Sequence, residues 1–361
     1  SFMLILNKQL DDQFAKNIKG IDLVLGAKGS PLQLILSSVY QVDAPTGNIN
    51  YSEVKTLLKR QKILIEYGVP LAFGDNYKGY RIVGTDSTYI THYELEVAEG
   101  KLWKNTLEAT IGSRVAKDLG LKVGDTFFSS HGLTDGTNVH DNATFIVVGI
   151  LEQSGTVADQ LLLCNIPSMW AVHGLENQPE ETQEITAVLM KKRSPMAIIR
   201  MPAILKDSKM QVALTASEKN RLEQNFGIGK EVITWLAYII IFISFISVFI
   251  SLYNSLKERK YELAILRTMG ATQGKLFLII ILEGLVLAAI GLVIGLLFGR
   301  VALYFMNSSL EKSFHYDILQ FGLLPEEWIL AGATLLVGIV AAFLPALQSI
   351  RIDISKTLSE N

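Results

Sequence analysis

A polar stretch, Ser129 to Asn142 (SSHGLTDGTNVHDN), gathers His131, Asp135, His140 and Asp141. Neutral imidazole and carboxylate are the donors that hold zinc and related transition metals. Their spacing matches no closed metal site, so His131 and His140 stand only as weak metal candidates, and no cofactor is expected. His92, His173 and His315 are scattered along the chain and read as surface or internally satisfied residues. Serine, histidine and aspartate occur together in this half, but no nucleophile motif frames a serine. The single cysteine, Cys164, lies in the apolar run QLLLCNIP. It cannot form an internal disulfide, lacks the neighbours of a reactive thiol, and reads as a small core residue. The nearest string to a phosphate loop is GATQGKL, Gly270 to Leu276. It has three residues between its glycines where that loop needs four, and Leu276 where Ser or Thr would hold magnesium. GAKGS, Gly26 to Ser30, is only a turn. No catalytic residue is therefore expected, and any nucleotide hydrolysis belongs to another chain.

The informative chemistry is of charge and apolarity. Lys257 to Thr272 reads KERKYELAILRTMGAT and sits between two long apolar segments. Lys257, Glu258, Arg259, Lys260, Glu262 and Arg267 keep it in water. Leu263, Ile265, Leu266 and Met269 give it an apolar component, and Gly270 is a helix stop. A charged helix in that place suits a membrane protein that receives force from a cytoplasmic partner.

The elements around it follow from hydropathy. The chain has 361 residues, 49% of them hydrophobic, and the excess lies after residue 230. A net charge of -2 points to neither nucleic acid nor an acidic substrate. Three segments are long enough to cross about 30 Å of hydrocarbon, at about 232–256, 276–305 and 328–347. The first connecting loop holds Lys257, Arg259, Lys260, Arg267 and Lys275. The second, Asn307 to Glu327, holds Lys312 against Glu311, Asp317, Glu326 and Glu327; the tail carries Arg351 and Lys356. Basic loops stay inside, so the first loop and the C-terminus are cytoplasmic, while the second loop and residues 7–229 are outside. Phe2 to Leu6 is too short to span and has no basic leader. Exporting a large N-terminal region then requires a transmembrane helix before residue 1, of which residues 1–6 would be the remnant.

Within the second span, Gly284, Ala288, Gly291, Gly295 and Gly299 recur at spacings of 4, 3, 4 and 4 and share one helix face. Small residues there let another helix approach closely, plausibly in a homodimer. Glu283, near the cytoplasmic end, is an intramembrane acid within reach of the interface or of Lys275. Outside, Gln9–Lys19 and Tyr51–Tyr67 read as helical, as does Ser113–Leu119. Ile21–Leu25, Gly79–Gly84, LGLKVGDTFF, ATFIVVGIL and Glu184–Met190 read as strands, and Leu214–Phe226 as an amphipathic helix leading to the membrane. The expected fold is an α+β extracytoplasmic domain over 7–229, in two subdomains, plus an α-helical transmembrane bundle over 230–361.

ERKYELAILRTMGAT resembles the cytoplasmic coupling helix of FtsX-like permeases, the MacB, LolC/LolE and FtsX group. FLPALQSIRIDISKTL resembles that family's last helix and tail, with Ile354 in place of the usual proline. GSRVAKDLGLKVGDTFF followed by FIVVGIL resembles its periplasmic core domain, and GIDLVLGAKGSPLQLILSSVYQVDAPTGNI resembles one subgroup. The match runs over essentially the whole chain; the family also places a helix before the outside domain.

The resemblance implies the permease subunit of an ABC transporter of the mechanotransmission type, in the bacterial cytoplasmic membrane. A cytoplasmic ABC ATPase would push on about 258–271, making Glu258, Arg259, Glu262, Leu263, Leu266, Arg267 and Gly270 the coupling residues. Two copies would pair in the bilayer, and stalk-like extensions, Asn7–Lys19 and Leu214–Gly229, would carry motion to the outside domain. That domain would handle a lipoprotein, peptide or other amphiphile, or meet a periplasmic or lipoprotein partner. The alternatives are an FtsX-like regulator of a cell-wall hydrolase or signalling partner, and export of metal or haem.

Overall fold

In the computed structural model, the described residues are 15–131, 139–176, 178–314 and 325–350. The chain divides into two compact units, Leu10–Gln224 on one hand and Asn225–Asn361 with Ser1–Gln9 on the other.

The first unit alternates strands and short helices. They are β1 (Leu23–Ala27), α1 (Pro31–Ser38), β2 (Ile49–Asn50), α2 (Tyr51–Arg60), β3 (Ile65–Tyr77), β4 (Tyr80–Thr85), α3 (Ser87–His92), β5 (Val97–Gly100) and β6 (Glu108–Ile111). Then follow α4 (Ser113–Leu119), β7 (Thr126–His131), β8 (Val139–Leu151), β9 (Leu162–Asn165), α5 (Ile166–Val172), β10 (Glu184–Ile185), β11 (Ala187–Lys192), α6 (Ala197–Ile204) and β12 (Met210–Leu214). The main sheet runs β12-β1-β11-β3-β4-β9-β6-β8-β5, with β7 bridging β3 and β8, while β2 and β10 form a separate pair. Pairing is antiparallel except at β4–β9 and β6–β8.

The sheet is apolar on both faces. In β1, Leu23 and Leu25 join one core with Phe127, Phe145 and Trp170. Val24 joins the other, with Leu34, Tyr89 and Leu163. Alternate residues of a strand point to opposite faces, so a run such as LVL reads as uninterrupted hydrophobicity because both faces are covered. Cys164 is fully buried in β9, as its apolar run requires.

Local chemistry sets the helix starts. Ser30 Oγ accepts from Gln33 N at 3.3 Å with Pro31 following. Asn50 caps α2 through Glu53 N at 3.0 Å, and Asn165 caps α5 through Ser168 N at 2.8 Å. Buried Arg81 closes the segment after α1. It donates to Ser37 O (3.1 Å), Gln41 Oε1 (3.2 Å) and Asp43 O (2.9 Å).

Two expected elements differ. The helix read over Tyr51–Tyr67 ends at Arg60, and β3 begins at Ile65. The apolar residues beyond Arg60 serve a strand whose partner, β11, lies far away in sequence. In LGLKVGDTFF only the end is strand. Gly120 and Gly124 take positive φ (67° and 99°), and Lys122 N donates to Asp125 Oδ2 at 2.8 Å, so the start is a turn. The expected 9–19 helix is described at 15–18, where it is helical. Phe2–Leu6 lies outside the described residues.

The second unit contains the apolar helices: the later part of α7 (Thr215–Glu258), then α8 (Lys260–Thr268), α9 (Gln273–Phe314) and α10 (Pro325–Ile350). Glu231–Glu258, Gln273–Phe305 and Glu327–Ile350 are each long and apolar enough to cross a membrane.

Candidate functional site

The loop between the first two spans folds into α8, about two and a half turns of amphipathic helix, and its two faces have different surroundings. Leu263 and Ala264 are buried. Leu263 packs with Leu256 at the foot of α7, Leu276 and Ile280 at the start of α9, and Ala346 near the end of α10. The opposite face presents Tyr261, Ile265, Leu266 and Met269, the last 79% exposed. A lone helix of this length has little stability of its own; Leu263 anchors it to three spans at once. Gly270 stops it with φ 97°. Gly270 N donates to Arg267 O and Ala271 N to Leu266 O, both at 3.0 Å, a Schellman closure that a side chain would strain.

The charges are ordered as well. Arg259 Nε lies 3.3 Å from Glu262 Oε2, and its Nη1 lies 3.8 Å from Glu283 Oε1. Ser255 Oγ donates to Glu283 Oε1 at 3.4 Å. The intramembrane acid is thus held by the N-cap residue of α8, whereas sequence reasoning offered Lys275. Glu258 is exposed at the end of α7, and Arg267 lies half-buried in the last turn of α8. Of the expected coupling residues, Glu258, Glu262 and Leu266 face outward, while Leu263 fastens the helix.

The glycine stripe divides. A Cβ at Gly284 would stand 2.6 Å from Ala342 Cβ and 3.1 Å from Gly338 O. A Cβ at Gly338 would stand 2.5 Å from Ala288 Cβ. Gly284 and Ala288 are therefore spent on α10 of the same chain. Gly291 and Gly295 meet nothing within 4 Å, and Gly299 is half-buried. Sequence reasoning missed Gly338, Ala342 and Ala346, which recur every fourth residue and carry the same small-residue signal. It also missed Arg300, whose Nη2 lies 2.6 Å from buried Glu327 Oε2.

In the outer unit, Asp75 is 1% exposed and His173 Nε2 lies 3.4 Å from its Oδ2. The bond to Asp75 raises the His173 pKa against the opposing effect of burial. His92 accepts or donates at Nδ1 with Tyr67 Oη, 2.8 Å away, and burial lowers its pKa. Burial raises the Cys164 thiol far from the reactive range. His131 ends β7, opposite Asp75 in register, and His140 lies in β8. Their side chains, with Asp135, Asp141 and His315, lie outside the described ones. Among the described residues no group of three metal-ligating side chains occurs.

Residues 235–354 match the FtsX-like permease C-terminal family. No curated protein matches the chain. In fold, the chain is similar to the periplasmic region of MacB from Actinobacillus actinomycetemcomitans, at 14% identity and a TM-score of 0.38, covering 58% of this chain and 97% of that one. It is also similar to the extracellular domain of the noncanonic ABC-type transporter YknZ from Gram-positive bacteria, at 14% identity and a TM-score of 0.34, covering 53% and 98%. The family match runs from the first apolar helix through the third and includes the amphipathic helix between the first two, so this part of the chain is similar to the C-terminal region of FtsX-like permeases.

Proposed function

We propose that this chain is the membrane subunit of an ABC transporter of the mechanotransmission type, driven by a separate cytoplasmic ATPase. The observation that carries the reading is α8. One face is fastened to the feet of three spans, and the other offers Tyr261, Ile265, Leu266 and Met269 beside Glu258 and Glu262. Large apolar side chains exposed in an aqueous loop mark a docking surface. A push there bears on α7, α9 and α10 together, through Leu263. The spans support force transmission over solute passage. Glu283 and Arg300, charged side chains within the second span, are engaged by Arg259 and Glu327. The substrate class consistent with this reading is an amphiphile handled by the outer unit.

The test is purification of the full chain in mild detergent with partner identification by mass spectrometry. A stoichiometric ATPase is expected. Glu258→Lys and Arg267→Glu should each weaken its retention and its stimulation, while the permease stays folded by circular dichroism. A folded permease without an ATPase, or variants that keep full stoichiometry and stimulation, would overturn the reading.

A further inference from the structure

The outer unit carries a cleft of about 450 Å³ where the start of α7 meets the segment before β1 and the end of β11. Its wall is unusual in charge. Lys19, Lys192 and Lys219 line it against one acid, Asp22. Asp22 is already committed, since it pairs with Lys192 and its Oδ2 accepts from Lys192 N at 3.0 Å. Lys19 is 70% exposed and meets Glu94 only at 3.4 Å on the surface, a weak tie. Thr215, Ala216 and Ser217, the first residues of α7, form part of the same wall. First-turn N–H groups of a helix lack intrahelical acceptors and sit at the positive end of its dipole. The Thr215 hydroxyl is buried there and has no hydrogen-bond partner. Glu218, in the same turn, lies 3.8 Å from Arg221 through Oε2, an atom that is itself buried without a hydrogen-bond partner. The cleft is therefore cationic, with an unsatisfied hydroxyl and a helix start in its wall.

Its rim is apolar. Ile18, Ile198 and Leu214 line it with the lysines. Ile198 leads onto the outer face of α6, where Met196, Ile199 and Ile204 are exposed at 47%, 69% and 44%. The inner face of that helix is anchored by Ala197 and Met201, both fully buried, so the outer residues are surplus to the fold. An anion site continuous with an apolar strip fits one ligand chemistry. We propose that this cleft binds the phosphate head of an anionic amphiphile, whose acyl chain lies along Ile198 and Ile199. The proposal deepens the transport reading by giving its substrate class, and it rests on that reading only for the meaning of binding.

The experiment uses the full chain in phosphatidylcholine nanodiscs, titrated calorimetrically with dihexanoyl phosphatidic acid against empty discs. Dihexanoyl phosphatidylcholine and inorganic phosphate are the comparison probes. The phosphatidate is expected to bind at least about tenfold more tightly than either comparison probe: phosphate lacks the acyl chains to bury, and phosphatidylcholine carries a choline cation that the lysines repel. Lys19→Gln with Lys219→Gln should weaken it about tenfold or more, since two charge-assisted contacts go. Ile198→Ser with Ile199→Ser should weaken the phosphatidate and leave phosphate unchanged. Equal binding of the phosphatidylcholine, phosphate alone binding as tightly as the phosphatidate, or no binding to the wild-type chain would each overturn the proposal. The probe comparison on wild-type protein holds even where a variant fails to fold. ATPase retention is read separately: its loss with binding intact removes the transport reading alone, and binding lost with the ATPase retained removes this site alone.

Discussion

His173 and His92 are displaced in opposite directions for identifiable reasons. Asp75 stabilises the charged form of His173, whereas burial against Tyr67 and Tyr93 disfavours that of His92. For His173 the folded pKa lies above the ordinary value of about 6.5. Its contribution to stability is therefore complete below that value and fades as pH rises through the folded one. Asp75→Asn should bring the His173 titration, followed by imidazole NMR, back down toward the ordinary range and abolish that loss of stability. An unmoved titration would show that Asp75 is not the cause. Arg81 is a second buried case. Burial lowers its pKa to about 10, yet it remains a cation held by three acceptors. Arg81→Leu would leave those acceptors in a dry site and should cost about 3 kcal/mol, read as a lowered thermal midpoint of the outer unit. Neither residue was legible in advance. Asp75 and His173, or Arg81 and Ser37, are brought together only by strands and helices distant in sequence.

Between elements, the second span illustrates how one motif serves two ends. Gly284 and Ala288 meet Gly338 and Ala342 of α10 at distances that leave no room for a further methyl group. Gly284→Leu should therefore disturb the α9–α10 packing within one chain, by roughly 1–3 kcal/mol as overpacking does. Gly291→Leu should leave that packing intact. Comparable thermal midpoints in detergent for the two variants would contradict this division. The stripe itself was readable, because its period is that of a helix. Its partition was not, since periodicity names a face but not what lies against it. α8 was more fully legible: alternating charge, apolar residues at helical spacing and Gly270 at the end gave its existence and its stop. That Leu263 faces inward and Leu266 outward required the surrounding spans.

At the scale of the whole molecule, Gly291 and Gly295 leave an open strip on α9, suited to the same strip of a second copy in the bilayer. A Gly291→Cys chain should form a covalent dimer under mild oxidation, and Gly295→Leu added to it should suppress that product. The native Cys164 is buried with a raised pKa and will not confuse the assay. Monomer throughout would remove the homodimer from the functional account, leaving the proposed role of α8 untouched.

The sequence by itself determined the three apolar helices and the amphipathic helix between the first two. Hydrocarbon imposes length and apolarity on each span, so the signal is local. It also gave α2, whose cap Asn50 sits beside the residues it starts, and α4, but not α1, α3, α5 or α6. Tertiary structure decided the rest. The strand at Ile65–Tyr77 contains Gly68, Pro70 and Gly74, which break a strand signal, and it exists because β11, β4 and β7 supply its hydrogen bonds from elsewhere. The cationic cleft belongs to the same class: Lys19, Lys192 and Lys219 are far apart along the chain, and only the meeting of β1, β11 and α7 sets their charges around one space.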